Sequence, residues 1–355
     1  MNPPTVRASL DPWLARYARQ VLYEKIGVGG QTRLSSAQAV LFGCGALGSV
    51  IATTLVRAGL GRLRICDRDF IERDNLQRQV LFDEDDILDD LPKAQAAAAK
   101  LARINPEVTI EPHVIDVNPA NIERLAEGAE LLLDGTDNFE TRFLINDLAV
   151  KTGRPWIYGA VVGTTGLMMA VIPDETPCLR CVFEEAPPPE LNPTCDTAGV
   201  LGTAVNLVAT YQCIEAIKIL VGRREEVNRS LVSIDAWSGR IVHLNVQAAR
   251  ERGTCPCCCR RDFRSLDGRL ESTTTTLCGR HAVQVRPGVA RTVDFAAIAE
   301  KLAPVANAPV RHNDYMLKAS VGDYELTLFP DGRAVIKGTD DPDKARTLCA
   351  RFFGA

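Results

Sequence analysis

One stretch constrains this chain more than any other: GCGALG, Gly43 to Gly48, with an acid following at Asp67. Residues 39–42, AVLF, are apolar and read as a short buried strand. Residues 46–58 read as a helix, Gly61 turns the chain, and residues 63–66 read as a second strand that ends in Asp67. A glycine turn between strand and helix lets the backbone approach a phosphate closely. The helix N-terminus behind it supplies free N–H groups and a favourable dipole. An acid closing the second strand can hydrogen-bond a ribose hydroxyl. The pattern predicts a nucleotide site on a Rossmann-type unit. Taken by itself it ranks a dehydrogenase first and other nucleotide enzymes second.

Strands and helices keep alternating downstream. Residues 108–114 and 130–134 read as strands, with helices over 93–104 and 118–126, and DGTDNFETR, Asp134 to Arg142, leads into a further helix ending near Thr152. Residues 156–162 and 167–172 read as two more strands, residues 199–221 as a long apolar helix, and 231–235 with 241–246 as a closing pair of strands. This order predicts an α/β fold, a doubly wound, mainly parallel Rossmann-like sheet. Residues 11–23 read as an amphipathic helix carrying RYARQ, the acidic run 83–90 as a solvated face, and 184–193 as a proline-rich exposed loop. Composition shifts near Arg264, and the threonine-rich run 272–276 resembles a linker. Residues 282–353 then read β-α-β-β-β-α. The expected organisation is a first domain over 1–264, a linker over 265–280 and a small α+β accessory domain over 281–355.

The formal charge of −4 argues against a general nucleic-acid binder. The start, MNPPTVRASLDPW, has no apolar core of a signal peptide, and the apolar stretch 155–173 fits paired strands better than a membrane helix. A cytoplasmic location is expected, with neither nucleic-acid nor membrane partners. Twelve cysteines then suggest metal or sulfur chemistry rather than disulfides. Cys178 and Cys181 form one C-x-x-C, and Cys255 with Cys258 another, so four thiolates can close a tetrahedral structural zinc site. Cys257 and Cys259 are spare thiols within reach. Arg78, Lys93 and Asp137 sit just past expected strand ends or at helix starts. The two cations suit phosphate charge, and Asp137 suits magnesium.

RYARQ, GCGALG, the block DRDFIERDNLQRQ, Lys93, TDN at Thr136 to Asn138, the paired C-x-x-C and the Cys195-Asp-Thr-Ala-Gly segment occur in one order. This resembles the MoeB/ThiF/HesA family of ubiquitin-activating-like adenylyltransferases, over roughly residues 16–258. The resemblance implies that Gly43, Gly45, Ala46 and Gly48 cradle ATP and that Asp67 holds its ribose. It puts Asp69, Asn75, Gln77 and Arg78 along the pocket and Lys93 on the phosphates. Asp137 would hold Mg²⁺ with Asn138 beside it. Arg19 would reach into a partner subunit's site, so a homodimer is implied. Cys195 matches the position that becomes covalently linked to carrier or sulfur in some members.

The implied reaction is attack by the C-terminal carboxylate of a small ubiquitin-fold carrier, typically ending in Gly-Gly, on the α-phosphate of ATP. A sulfur donor protein would act downstream. The four histidines lie outside the matched motifs, and an ionised carboxylate needs no general base. Three departures stand out. Ala46 replaces a glycine, Leu91 replaces the glycine before Lys93, and the region after Arg264 matches neither the short members nor those with a rhodanese domain. Cys278 and Cys349 read as structural. Two rival classes remain at this level: an NAD-dependent oxidoreductase, which leaves Arg78, Lys93 and Asp137 without a role, and a non-catalytic carrier-binding scaffold.

Overall fold

The computed structural model describes residues 11–185, 195–269, 274–277, 281–286 and 293–353. Most of the expected 184–193 loop and Cys278 lie outside them. The chain divides into two compact units. One spans residues 1–192 with 200–270; the other spans 271–355 with the short segment 193–199.

The larger unit is built on eight strands: β1 (Gln38–Phe42), β2 (Arg62–Asp67), β3 (Thr109–Val114), β4 (Leu131–Asp134), β5 (Trp156–Val162), β6 (Thr165–Val171), β7 (Leu231–Asp235) and β8 (Arg240–Leu244). They lie in the order β3-β2-β1-β4-β5-β6-β7-β8. Strands β3 to β5 pair in parallel, and β6 to β8 add on antiparallel. The five main helices are α1 (Gly27–Ser36), α2 (Ala46–Ala58), α3 (Lys93–Ile104), α4 (Phe139–Thr152) and α5 (Gly202–Leu220).

Side chains alternate across a strand, so a strand covered on both faces must be apolar throughout. The first strand shows this. Ala39 and Leu41 join a core with α2, α3 and α5, whereas Val40 and Phe42 join a second core with α4 on the opposite face. Chain order reverses between β1 and β4, and the segments leaving their carboxyl ends meet there. Open α/β sheets bind ligands at such a point.

The second unit is a six-stranded sheet in the order β11-β12-β13-β14-β10-β9, with β9 (Thr274–Leu277), β10 (Ala282–Val285), β11 (Arg311–His312), β12 (Leu317–Val321), β13 (Tyr324–Leu328) and β14 (Ala334–Lys337). Every pairing is antiparallel. Helices α6 (Phe295–Leu302) and α7 (Pro342–Phe353) share its apolar core, in which Cys349 is buried.

Several local expectations change. Thr274–Leu277, expected as linker, is a strand paired with β10. Residues 265–269 are not linker either: Ser265 and Leu266 donate their backbone N–H groups to the buried Asp147 carboxylate. The acidic run contains a helix, Glu84–Leu88, started by a reciprocal cap between Asp83 and Asp86 and tied to Lys100. The expected helix over 11–23 splits into a 3₁₀ turn, Pro12–Tyr17, and a short helix, Ala18–Val21. The helix expected over 118–126 shortens to Ile122–Leu125. The long helix starts at Gly202, after a separate short helix Cys195–Ala198.

Candidate active site

The glycine turn joins β1 to α2, and its shape is dictated by contact. Gly43 has φ +85°, and a methyl group there would lie 2.7 Å from the Gly135 carbonyl oxygen. A methyl at Gly48 would lie 2.1 Å from the Gly43 carbonyl oxygen. Only glycine fits either position. Gly45 differs: it precedes α2, and around its would-be methyl only Gln79 Nε2, at 3.8 Å, comes within 4 Å among the described residues outside its chain neighbours. The turn is closed beneath and open above Gly45. An anion can approach the α2 N-terminus from that side, helped by the helix dipole.

Asp67 stands at the end of β2 against this turn and is 8% exposed. Its Oδ2 accepts the Cys44 backbone N–H at 2.6 Å, and its Oδ1 accepts the Asp69 N–H at 2.7 Å. Burial pushes its carboxyl above the usual range, while the Lys93 ammonium pulls it down. Lys93, the first residue of α3, is 4% exposed and reaches Asp69 Oδ2 at 3.3 Å. Its backbone N–H bonds the Asp69 carbonyl at 2.9 Å. Leu91 in place of a glycine has therefore not displaced the lysine from the strand end.

Asn75 is buried in a 3₁₀ turn and accepts the Glu72 N–H. Arg78 is half-buried and donates to the Asp74 carbonyl at 2.7 Å, and Gln77 is exposed. The start of α5 packs here, since a methyl on Gly202 would lie 2.9 Å from the Gln77 carbonyl oxygen. Asp137 is exposed on the loop after β4, touched by Asn138 Nδ2 at 3.3 Å, while Asn138 Oδ1 caps α4. Gly135 N–H bonds the Phe42 carbonyl, which holds this loop beside the glycine turn. The fold thus gathers Gly43 to Gly48, Asp67, Asp69, Lys93 and the Asp137 loop at one end of the sheet.

Arg19 is not among them. Its neighbour Gln20 donates to the carbonyl of Ala58, the last residue of α2, and Tyr17 lies against Gly59. The glycine turn is at the other end of that 13-residue helix, about 20 Å away, farther than an arginine side chain extends. Cys195, the first residue of its short helix, is half-buried.

Two functional candidates escaped the sequence reading. Arg68 pairs with the buried Asp116 at 2.5 Å, and its positive charge is reinforced by Asp116, Asp69 and Asp137. Arg142 is 6% exposed and lies 3.4 Å from the fully buried Asp134. It donates to the Thr136 and Gly159 carbonyls and sits over the rings of Phe139 and Tyr158. It braces the loop that carries Asp137. Arg68 lies in the block DRDFIERDNLQRQ already singled out, and Arg142 follows the TDN segment by four residues.

A second cluster lies on the α4 face. The sulfurs of Cys178, Cys181, Cys255 and Cys258 lie within 4.8 Å of one another, with pairs at 3.8, 3.6 and 3.4 Å. Sulfurs around a tetrahedral zinc sit about 3.8 Å apart, so this donor set fits the ion and leaves no open position. Cys257 points elsewhere, accepting the Asn146 amide at 3.3 Å, and Cys259 is exposed. Asn146 also accepts the Leu179 N–H, and Asp147 pairs with Arg180. Helix α4 so holds the loop of the first C-x-x-C.

The ThiF family model matches residues 17–257. The chain is 41% identical to the sulfur carrier protein ThiS adenylyltransferase of Bacillus subtilis, over 96% of this chain and 99% of that protein. That match includes the C-terminal unit, so the extension is shared with a family member. The chain is 37% identical to the SAMP-activating enzyme E1 of Haloferax volcanii, over 69% of this chain and 88% of that one. Among solved structures, Escherichia coli MccB with MccA-N7isoASN is similar at a TM-score of 0.59 and 21% identity, covering 71% of this chain and 76% of that one. That likeness concerns the fold. A family match that spans the glycine turn, the acid at β2, Lys93, the Asp137 loop and the first C-x-x-C, with a relative 41% identical over 96% of this chain, excludes the oxidoreductase reading: the chain belongs to the ThiF family.

Proposed function

We propose that this adenylyltransferase activates the C-terminal carboxylate of a ThiS-like, ubiquitin-fold sulfur carrier. The observation that carries the reading is the open Gly45 face at the α2 N-terminus, with Asp67, Lys93 and the Asp137 loop converging on it. Glycine-turn N–H groups and Lys93 take the ATP phosphates, and Asp67 takes the ribose hydroxyls. A carboxylate oxygen of the carrier bonds to the α-phosphorus, the bond to the β-phosphate oxygen breaks, and pyrophosphate leaves. The nucleophile is already ionised, so no base is needed and catalysis rests on placement and charge. Arg78 and Lys93 offset the charge that moves to the leaving group.

Asp137 would hold Mg²⁺ through its carboxylate, and the ion would supply positive charge that neutralises the phosphates. Cys178, Cys181, Cys255 and Cys258 would hold Zn²⁺, which would tie two distant segments together. Arg19 serves the site of a second copy in a homodimer. Cys195 would attack the acyl carbon of the adenylate as thiolate, forming a thioester and expelling AMP. The C-terminal unit recognises the carrier or a sulfur donor protein; unchanged carrier affinity and turnover after deletion of residues 272–355 would remove that role.

The experiment is ATP–pyrophosphate exchange with purified Gly-Gly-ended carriers, on wild type and Asp137→Ala. Carrier-dependent exchange that the variant loses is expected. Exchange without any carrier, or an unimpaired variant, would overturn the assignment.

A further inference from the structure

Gln79 is 4% exposed, yet its Oε1 is buried with no hydrogen-bond partner among the described residues. Its backbone is fully engaged, the N–H with the Asn75 carbonyl and the carbonyl with the Phe82 N–H. Only the side-chain amide lacks partners. Burying an amide without hydrogen bonds is unfavourable, and native chains rarely do so without cause. The amide has a direction: Nε2 lies 3.8 Å from the position a methyl would take on Gly45, with nothing else within 4 Å of that point among the described residues beyond the glycine's chain neighbours. Gln79 and Gly45 face each other across an open gap at the N-terminus of α2.

We propose that Gln79 is a phosphate-binding residue, donating Nε2–H to an oxygen of the nucleotide phosphate seated over Gly45. The proposal rests on the nucleotide reading of the glycine turn and adds a neutral, directional donor to it. Lys93 supplies charge but little angular preference. An amide held at this depth needs no counter-ion, unlike a buried cation, and fixes one oxygen relative to the helix axis. An in-line attack depends on that orientation. The phosphate would engage the donor Nε2–H, while the buried acceptor Oε1 stays as it is in the free protein.

The test is calorimetric binding of ATP and of adenosine to wild type, Gln79→Leu and Gln79→Glu, with melting temperatures. Removing an unsatisfied amide should leave Gln79→Leu melting at or above wild type. Its ATP affinity should fall about tenfold, the worth of one hydrogen bond to a charged acceptor, with adenosine bound as by wild type. Gln79→Glu, isosteric and anionic, should lose ATP affinity further and keep adenosine. Gln79→Leu that binds ATP as tightly as wild type, or that loses ATP and adenosine equally, overturns the proposal. If the leucine variant does not fold, the glutamate variant decides by the same comparison. Wild type that binds neither ligand would instead overturn the nucleotide reading of the turn.

Discussion

Asp67 Oδ2 accepts the backbone N–H of Cys44 at 2.6 Å. The acid proposed to hold the ribose therefore also sets the turn proposed to hold the phosphates. Asp67→Asn puts an amide NH₂ or a single oxygen where two backbone donors need acceptors. A buried donor left unmet costs about 1–3 kcal/mol. The variant should melt lower and bind ATP at least about tenfold more weakly, read by thermal denaturation and calorimetry. Burial raises the native carboxyl above its ordinary 3.8, so the unfolded chain loses this proton first as pH rises. The Asp67 contribution to stability is largest at low pH and declines as pH rises through the native value. The Asn variant should lose that part of the pH slope, and an unchanged slope would refute the linkage.

Gly45 and Gly48 separate fold from function within one turn. Gly48→Ala drives a methyl into the Gly43 carbonyl at 2.1 Å, so backbone must move. It should lower the melting temperature and abolish exchange. Gly45→Ala meets only ordinary contact, 3.8 Å from Gln79. It should melt like wild type while ATP affinity falls, because the methyl occupies the space left for phosphate. A Gly45→Ala variant with wild-type ATP affinity would show that the phosphate lies elsewhere.

Strand β1 was legible because it is covered on both faces and is apolar from Ala39 to Phe42, and β2 because the glycine turns bound it, although Arg62 and Arg64 interrupt its apolar pattern. Features set by distant partners were not. The run 83–90 looks like a solvated face until Asp86 is seen to be buried between the Asp83 cap and Lys100. Thr274–Leu277 has linker composition, and β10 makes it a strand. Spacing alone left four thiols between Cys255 and Cys259 open. The tight turn there, closed by Cys259 N–H on the Cys255 carbonyl, aims 255 and 258 at the first pair and leaves 257 to Asn146. The Arg68 partner lies 48 residues away, at a range no local pattern reports.

That turn makes the zinc assignment specific. Purified protein should carry one zinc per chain by metal analysis. Cys178→Ser and Cys258→Ser should lose it and melt lower, since metal binding contributes folding energy. Cys259→Ser should keep it. Zinc retained in Cys258→Ser but lost in Cys259→Ser would reverse the ligand assignment.

Asp134 and Arg142 form the buried pair beneath the Asp137 loop. Asp134→Asn leaves the guanidinium without its counter-charge at 6% exposure, which costs about 3–5 kcal/mol. Arg142→Lys keeps the charge but cannot bond both the Thr136 and Gly159 carbonyls in the same way. It should lower kcat for exchange more than it raises the ATP KM. A variant that changed stability alone would confine the pair to folding.

Arg19 tests whether the site is complete in one chain. Within its own chain the residue lies near the far end of α2, beside Gln20 bonded to Ala58, while the nucleotide turn is at the near end. A role in catalysis therefore requires a second copy. Arg19→Ala and Asp137→Ala should each lose exchange while melting like wild type, since both side chains are exposed. Mixed in equal amounts and allowed to exchange subunits, they should recover activity. Half the dimers would then be mixed, and each would hold one intact site, pairing Asp137 of one copy with Arg19 of the other. Recovery should approach about one quarter of wild type. No recovery, with mixed dimers demonstrated by mass, would place Arg19 outside the reaction.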